Sequence, residues 1–440
     1  MSPIIIGIIG IVVLVIVLFS RIPVGFGIFL VGFVGFCYLV SLDAGLSIIA
    51  KDVFNCWSWY VLGVCPMFVL MGYLAYESGL SEALFATAYA WVGQYRGGLA
   101  IAVTMTCAAF GAICGDPCAT SASIGAVSLA EMRRYKYDMS LATACVAAGG
   151  VLGILIPPSI ILLVYGIITE NSIAALFLAG IIPGIMLMLL YMAVIYIQAW
   201  RNPSVAPAGP PVNLRQKLAA FRAADVVSTL AIFALTMGGL IVGWFTPTEA
   251  GAIGAFGILV VGSLVRRKLK WQGFVSALGA TTRTTAFIFI IFAGVTVFGR
   301  FLAVSRIPAE LGVWTTTLPA PRVVIMVAIL LVYFFFGMII DPFPFMLLTM
   351  PIFYPAVLLL GYDPIWYGVV MVFCCGVGGI TPPVGVMVYV VAGIAKDVPL
   401  MSIFKGVWPF VGAIAVAVVL VIAFPQIATF LPDLIMAPGG

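Results

Sequence analysis

The sequence predicts an all-α integral membrane protein built from two inverted halves, each carrying a re-entrant hairpin and a discontinuous helix. Three observations predict it. Of 440 residues, 64% are hydrophobic and only 8% are charged, against roughly 25% charged in an ordinary soluble domain, so the chain cannot cover itself with polar surface. Apolar stretches recur at about the 20 residues that a helix needs to cross a bilayer. A shift of 225 residues carries one set of unusual residues onto another. Such a chain has lipid as its main solvent, which excludes a soluble enzyme, a nucleic-acid binder and a disordered scaffold.

The elements follow in order. Ile4 to Phe19 is apolar, has no basic segment before it, and is followed by Arg21 and a second apolar run, Ile22 to Val40. Both are expected to be true spans rather than a cleaved leader. Further spans are expected at Tyr60 to Tyr76, Leu141 to Ile168, Ile173 to Ala199, Val226 to Trp244, Ala250 to Val265, Ala286 to Val304, Ile365 to Ala395 and Val407 to Phe424. Gly98 to Met132 and Val323 to Leu360 are too long for one crossing, and each has an Asp-Pro pair midway. Proline and a carboxylate are poor lipid-facing residues at that depth, so each stretch reads as a hairpin with its tip buried in protein.

The polar segment Arg201 to Ala224, rich in Pro and basic residues, divides the chain almost in half. The expected organisation is N-terminal scaffold helices over 1–56, a first repeat over 57–200 with its hairpin at 98–135 and broken helix at 140–168, a cytoplasmic linker and scaffold helix pair over 201–270, and a second repeat over 271–440 with its hairpin at 323–360 and broken helix at 364–395.

The formal net charge is +5, but in a membrane protein the placement of Lys and Arg matters more than their sum, because they concentrate in cytoplasmic loops. They cluster at Arg133, Arg134 and Lys136, at Arg201 to Arg222, and at Arg266, Arg267, Lys268 and Lys270. With all three clusters cytoplasmic, the helices between them pair as outward and inward crossings.

The 225-residue shift aligns Asp116-Pro117 with Asp341-Pro342, Tyr137-Asp138 with Tyr362-Asp363, Gly153 with Gly378, and Pro157-Pro158 with Pro382-Pro383, without a gap. The base of the first hairpin is basic, whereas its counterpart at Leu358, Leu359 and Gly361 carries no charge. One base is then cytoplasmic and the other external, so the halves are inverted. Inverted repeats with discontinuous helices are an architecture of secondary transporters.

Chemistry is expected where the repeats break. Gly153 to Ser159 and Gly376 to Gly385 each place a Pro-Pro pair in a long apolar span, which ends one half-helix and starts another. Thr381 is expected as an N-cap, with Pro382 at the first helical position. Freed carbonyls suit a desolvated cation and freed amides an anion. At the hairpin tips, a carboxylate at membrane depth costs roughly 2.5 to 3.5 kcal/mol. Asp116 and Asp341 therefore bind a cation, carry a proton, or cap the second arm of each hairpin. Gly115, Ala119, Ser121, Ser123 and Gly125 are small enough to let the arms pack closely. Arg300, Arg306 and Arg322 border the second hairpin, where they either draw an anion or snorkel to the headgroups.

Nine Cys residues show no CxxC pair, and there is no His. The cysteines read as small buried hydrophobes, and the usual kits for zinc, haem or hydrolytic chemistry are missing. Neither an intramembrane enzyme nor a passive channel fits as well as alternating access. No cofactor is expected.

The run AAGGVLGILIPPSIILLVYGIITENSIAALFLAGIIPG (Ala147 to Gly184) closely resembles the signature of the large membrane subunit of tripartite ATP-independent periplasmic (TRAP) transporters, the DctM-like family. GWFTPTEAGAIGA (Gly243 to Ala255), the Met-Arg-Arg-x-x-Tyr-Asp run from Met132 to Asp138, GYDPIWYGVVMV and GGITPPVG support the resemblance, which spans nearly the whole chain.

The resemblance implies an elevator-type symporter of the bacterial inner membrane, in which hairpins and broken helices slide against a scaffold. It further implies Na+ as coupling ion and a small organic anion, a carboxylate or related acid, as solute. A periplasmic substrate-binding protein would deliver that solute, and a separate small four-helix membrane subunit would complete the complex. The alternative is a stand-alone or proton-coupled carboxylate or ion transporter without a binding protein.

On this reading Gly115, Asp116, Gly153, Asp341, Gly376, Thr381 and Gly385 hold Na+, and Ser121, Pro157, Pro158, Ser159, Pro382 and Pro383 meet the solute. Family members generally carry small hydroxyl or Gly residues after the first tip Gly. Asp116-Pro117 departs from that pattern and bears on cation stoichiometry or substrate type, whereas Asp341 fits it better.

Overall fold

The computed structural model describes residues 2–20, 22–221 and 224–436, and no strand occurs among them. Arg21, and Arg222 and Ala223 of the Pro-rich segment, lie outside the described residues. Helices satisfy their backbone groups internally, which a hydrocarbon solvent demands. Seven described helices are long and apolar enough to cross a membrane, or eight if the bent pair Leu214–Phe221 and Val226–Val242 forms one span.

The chain opens with helices Pro3–Leu18 and Val24–Leu39, the second beginning after Pro23. Leu42–Ile48, Ile49–Val53 and Phe54–Trp57 follow as short turns of helix. Asp43, Lys51, Asp52 and Asn55 break the apolar run here, which hid these turns from a search for spans.

Two matching series come next. The first is Val64–Glu77, Leu80–Val92, hairpin arms Gly98–Cys114 and Pro117–Arg134, half-helices Met139–Leu155 and Ile160–Thr169, and the crossing helix Ile173–Arg201. The second is Trp271–Ser305, Ile307–Thr317, arms Arg322–Gly337 and Pro342–Leu359, half-helices Pro364–Gly378 and Val386–Ile394, and Leu400–Ala423. The 225-residue shift seen in a few residues thus extends to element boundaries. Even the turn between hairpin and broken helix repeats: Lys136 and Gly361 occupy matched positions, both with positive φ, 57° and 74°.

The long helix Trp271–Ser305 begins 15 residues before the span expected at Ala286. Thr281-Thr282-Arg283-Thr284-Thr285 interrupts the apolar run, yet the backbone stays helical through it. This helix lies along Val24–Leu39 at glycine contacts. A Cβ on Gly25 would fall 2.7 Å from Ile290 Cγ2, and one on Gly32 would fall 2.7 Å from the Phe298 amide nitrogen. Close backbone approach through small residues is how helices associate where lipid removes the hydrophobic drive.

Half-helix Met139–Leu155 is buried at every position from Leu141 to Leu155, and Pro364–Gly378 from Trp366 onward. A helix apolar all round belongs in the interior. The small residues of the second arm of hairpin one face these broken helices. Ser121 Oγ donates to the Val146 carbonyl at 3.4 Å, and a Cβ on Gly125 would meet Ile394 and Val146.

The Pro-rich segment is stitched to the base of hairpin one. Gly97 N–H donates to Ala206 O, Asp138 N–H to Val205 O and Gly209 N–H to Gly93 O, at 2.9–3.0 Å. The helix Leu214–Phe221 then meets Leu80–Val92, where Thr87 Oγ1 donates to Ala220 O at 3.2 Å. Proline removes amide donors but leaves its neighbours free to pair, so the segment docks as a strap.

Besides the bonds from Ser140 Oγ to Ser402 O and from Tyr165 OH to Pro364 O, two contacts join a hairpin of one half to the chain beyond the broken helix of the other. Arg133 at the base of hairpin one pairs with Asp397 beyond the second broken helix, and Asn171 Nδ2 beyond the first donates to the Tyr354 hydroxyl of hairpin two at 2.9 Å. The side chains of Arg133 and Asp397 are 42% and 62% exposed, so screening keeps the pair weak. Arg133→Ala is expected to lower stability by less than about 1 kcal/mol, and the loss should shrink further in high salt when thermal unfolding is followed.

Of the arginines near hairpin two, Arg300 Nε donates to Asp52 Oδ2 at 2.7 Å, and Arg322 sits over the Tyr362 ring at 5.5 Å. Both are held by protein neighbours.

Candidate functional site

The first break spans Ile156 to Ser159. Ser159 bridges it, because its Oγ accepts the Leu162 N–H at 3.2 Å and donates to the Ile154 carbonyl at 2.5 Å. The Ile160 N–H reaches across to the carbonyl of Gly115 at the hairpin tip, 3.3 Å away. Pro157 and Pro158 are buried beneath that tip, and a Cβ on Gly115, whose φ is +65°, would collide with the Pro158 carbonyl.

The second break is longer, Gly379 to Gly385, and its helix starts later than expected. Thr381 does not cap it. Thr381 Oγ1 donates to Val377 O at 3.0 Å, closing the end of the preceding half-helix, while the N-cap of the following half-helix is Gly385 at φ +54°. The reason is visible in the repeat: the position matching Ser159 is Val384, which has no hydroxyl to cap with. The Val384 N–H still finds the tip of its own hairpin, at Met338 O, 3.2 Å away. Pro382 is half-buried and Pro383 exposed, unlike their buried counterparts.

Hairpins and broken helices meet at glycine pairs. A Cβ on Gly111 would lie 2.6 Å from Gly153 Cα, and one on Gly378 would lie 2.6 Å from Gly337 Cα and nearer still to that residue's carbonyl. Gly153 also faces Thr120 Oγ1, and Gly376 lets the second broken helix approach Val151 and Ile154 of the first.

The tips converge. Asp116 Oδ1 accepts the Ala119 N–H at 2.6 Å, and Asp341 Oδ1 accepts the Phe343 N–H at 3.0 Å. Each Asp is therefore the N-cap of its second arm, with Pro at the first helical position. A cap uses one oxygen, whereas an ionised carboxylate offers about four lone-pair sites. Both aspartates also line one cavity of about 100 Å³, together with Gly115 and Cys118. No Lys or Arg lines it. Two carboxylates in a largely apolar enclosure call for neutralisation, by a bound cation or by a proton, because unpaired buried charge is costly.

Of the residues expected to act, Gly115, Asp116 and Asp341 share this cavity. Ser121, Gly153, Pro157, Pro158, Ser159, Gly376, Thr381, Pro382, Pro383 and Gly385 do not line it, and they lie at the breaks and helix contacts around it. Sequence reasoning missed the third wall: Thr284, Phe287 and Ile288 of Trp271–Ser305. Tyr73 OH and Thr284 Oγ1 are 3.0 Å apart beside Asp116. The signal was the Thr-Thr-Arg-Thr-Thr run, polar residues inside an apolar helix.

Comparison with known proteins agrees with this architecture. Residues 11–427 match the family model described as "Tripartite ATP-independent periplasmic transporter, DctM component". The sialic acid TRAP transporter large permease protein SiaM of Vibrio cholerae is 31% identical over 423 residues, covering 96% of this chain and 97% of that protein. The C4-dicarboxylate TRAP transporter large permease protein DctM of Pseudomonas aeruginosa is 34% identical over 395 residues, covering 90% and 91%. The ectoine TRAP transporter large permease protein TeaC of Halomonas elongata is 31% identical over 369 residues, covering 84% and 85%.

Among solved structures, the YdaH transporter of Alcanivorax borkumensis shares the fold at 16% identity with a TM-score of 0.62, covering 89% of this chain and 91% of that one. Neisseria gonorrhoeae MtrF does so at 16% identity and 0.57, covering 91% and 86%. The chain therefore belongs to the DctM component family of tripartite ATP-independent periplasmic transporters, as a multi-pass permease of the bacterial inner membrane and not an enzyme.

Proposed function

We propose that this permease is a sodium-coupled symporter of a small organic acid, in which the two hairpins and two broken helices move as one body against Trp271–Ser305 and the N-terminal helices. The observation that carries the reading is the convergence of Asp116 and Asp341, matched residues of the two halves, on one cavity. An inverted relation between the halves, supported by the basic base of hairpin one and the uncharged base of hairpin two, gives such a site access to either side in turn. The crosswise contacts Arg133–Asp397 and Asn171–Tyr354 favour joint movement of the halves.

The Na+ sites are Asp116 and Asp341 with nearby carbonyls of the breaks, at Gly115, Gly153, Gly376, Thr381 and Gly385. Ser121, Ser159 and the Pro-Pro turns Pro157-Pro158 and Pro382-Pro383 meet the solute once the tips part, since a cavity of about 100 Å³ is well below the roughly 300–1,000 Å³ of a small-molecule pocket. Relatives named for sialic acid, C4-dicarboxylates and ectoine point to a small organic solute. The partners are a periplasmic substrate-binding protein and a separate small four-helix membrane subunit.

The test is uptake into proteoliposomes holding both membrane subunits, with the solute presented on its binding protein. Uptake is expected to need an inward Na+ gradient. Equal uptake with Na+ absent on both sides would defeat the coupling, and uptake without the binding protein would favour a stand-alone transporter.

A further inference from the structure

We propose that Arg283 is the anion-recognising residue of this cavity, taking the carboxylate or sulfonate end of the solute while Asp116 and Asp341 serve the coupling cation. This rests on the transport reading and adds the residue that selects the charge of the solute.

The cavity wall supplied by Trp271–Ser305 consists of Thr284, Phe287 and Ile288, spaced three and four apart and hence on one helix face. Arg283 precedes Thr284 by one residue and Phe287 by four. It therefore borders the same face at the wall's end nearer the helix start, about 1.5 Å before Thr284 and about 6 Å before Phe287 along the axis. That start follows the basic cluster Arg266, Arg267, Lys268 and Lys270, which places Arg283 on the cytoplasmic edge of the wall.

The helix has a second arginine, Arg300, and the two differ. Arg300 is held by Asp52 at 2.7 Å. Arg283 is exposed, and no carboxylate pairs with it among the described residues. Electrostatics gives it a purpose. An organic anion approaching a cavity that holds two carboxylates and no cationic side chain is repelled until the carboxylate charge is balanced, and a coupling cation there leaves no side chain to hold the anion itself. A guanidinium on the rim supplies the missing attraction, and its planar fork matches a carboxylate in two parallel hydrogen bonds.

Cys118 lines the same cavity and reports its potential. In the assembled membrane complex, with Cys118 as the only remaining cysteine, its reaction rates with an anionic sulfonate and a cationic trimethylammonium methanethiosulfonate are compared. Arg283→Gln is expected to lower the anionic-to-cationic rate ratio about five-fold, and Arg283→Lys to preserve it. In uptake, Arg283→Gln should raise KM for the solute while half-saturation by Na+ stays put. A rate ratio indifferent to Arg283→Gln, in a Cys118 that does react, overturns this inference alone and leaves the transport reading standing. A Cys118 closed to both reagents in every conformational state sinks both.

Discussion

Gly378→Ala is expected to cost about 3 kcal/mol of stability and to abolish transport. The added methyl would lie 2.6 Å from Gly337 Cα and closer to its carbonyl carbon and oxygen. Those are backbone atoms at the end of a hairpin arm, so no rotamer change relieves the clash, and the hairpin must lift off the broken helix. The Val384 N–H to Met338 O bond lies beside this contact and would be lost with it. The hairpin-to-broken-helix contact of the first half is probed by Gly111→Ala, whose methyl would meet Gly153 Cα at 2.6 Å and should behave alike. Gly412→Ala is the control, because its methyl has nothing within 4 Å and sits in a helix. There alanine should be neutral or stabilising by roughly 0.5–1 kcal/mol. Melting temperatures of the purified variants, read beside uptake, test the set. A fully stable and active Gly378→Ala variant would mean that hairpin two does not seat on its broken helix as described.

Much of this arrangement was legible in the chain because membrane burial exaggerates the rules that govern sequence. Pro-Pro pairs inside apolar runs could only be helix breaks, and both are. Asp-Pro at a hairpin midpoint offered a cap as one of three roles, and both aspartates cap. The 225-residue shift, read from residues between the hairpin tips and the Pro-Pro breaks, holds in the structure as far out as Leu80–Val92 and Ile307–Thr317, short helices that the sequence reading did not anticipate.

What stayed hidden depends on contacts between distant segments. Thr381 looks like an N-cap from its neighbours alone. Only the absence of a hydroxyl at Val384, and the left-handed turn at Gly385, move the helix start onward. Trp271–Ser305 was cut short because Arg283 and four threonines resemble a boundary, although the helix continues for another turn and more on either side. The docking of the Pro-rich strap rests on backbone bonds to Gly93, Gly97 and Asp138, for which composition has no signal.

The aspartate pair gives the sharper test of function, since Asp→Asn separates the two jobs that each residue can do. Asparagine caps a helix about as well as aspartate, so Asp116→Asn and Asp341→Asn should keep the bonds to Ala119 and Phe343 and hence the hairpin tips. What they remove is charge. Each is expected to weaken Na+ half-saturation of uptake at least ten-fold, about 1.4 kcal/mol, and the double variant to lose Na+ dependence altogether.

Stability adds a second, independent readout. Two like charges facing one small cavity repel unless a cation sits between them, so without Na+ each single variant should melt no lower than the parent, while the rise in melting temperature on adding Na+ should shrink. Asp116→Ala is the contrast, because it loses the cap as well and should fall by about 1 kcal/mol with or without Na+. If both Asn variants kept the parent's Na+ response, the carboxylates would be caps and nothing more. If only the pH response of uptake disappeared, they would be proton carriers, and the coupling ion would be H+ rather than Na+.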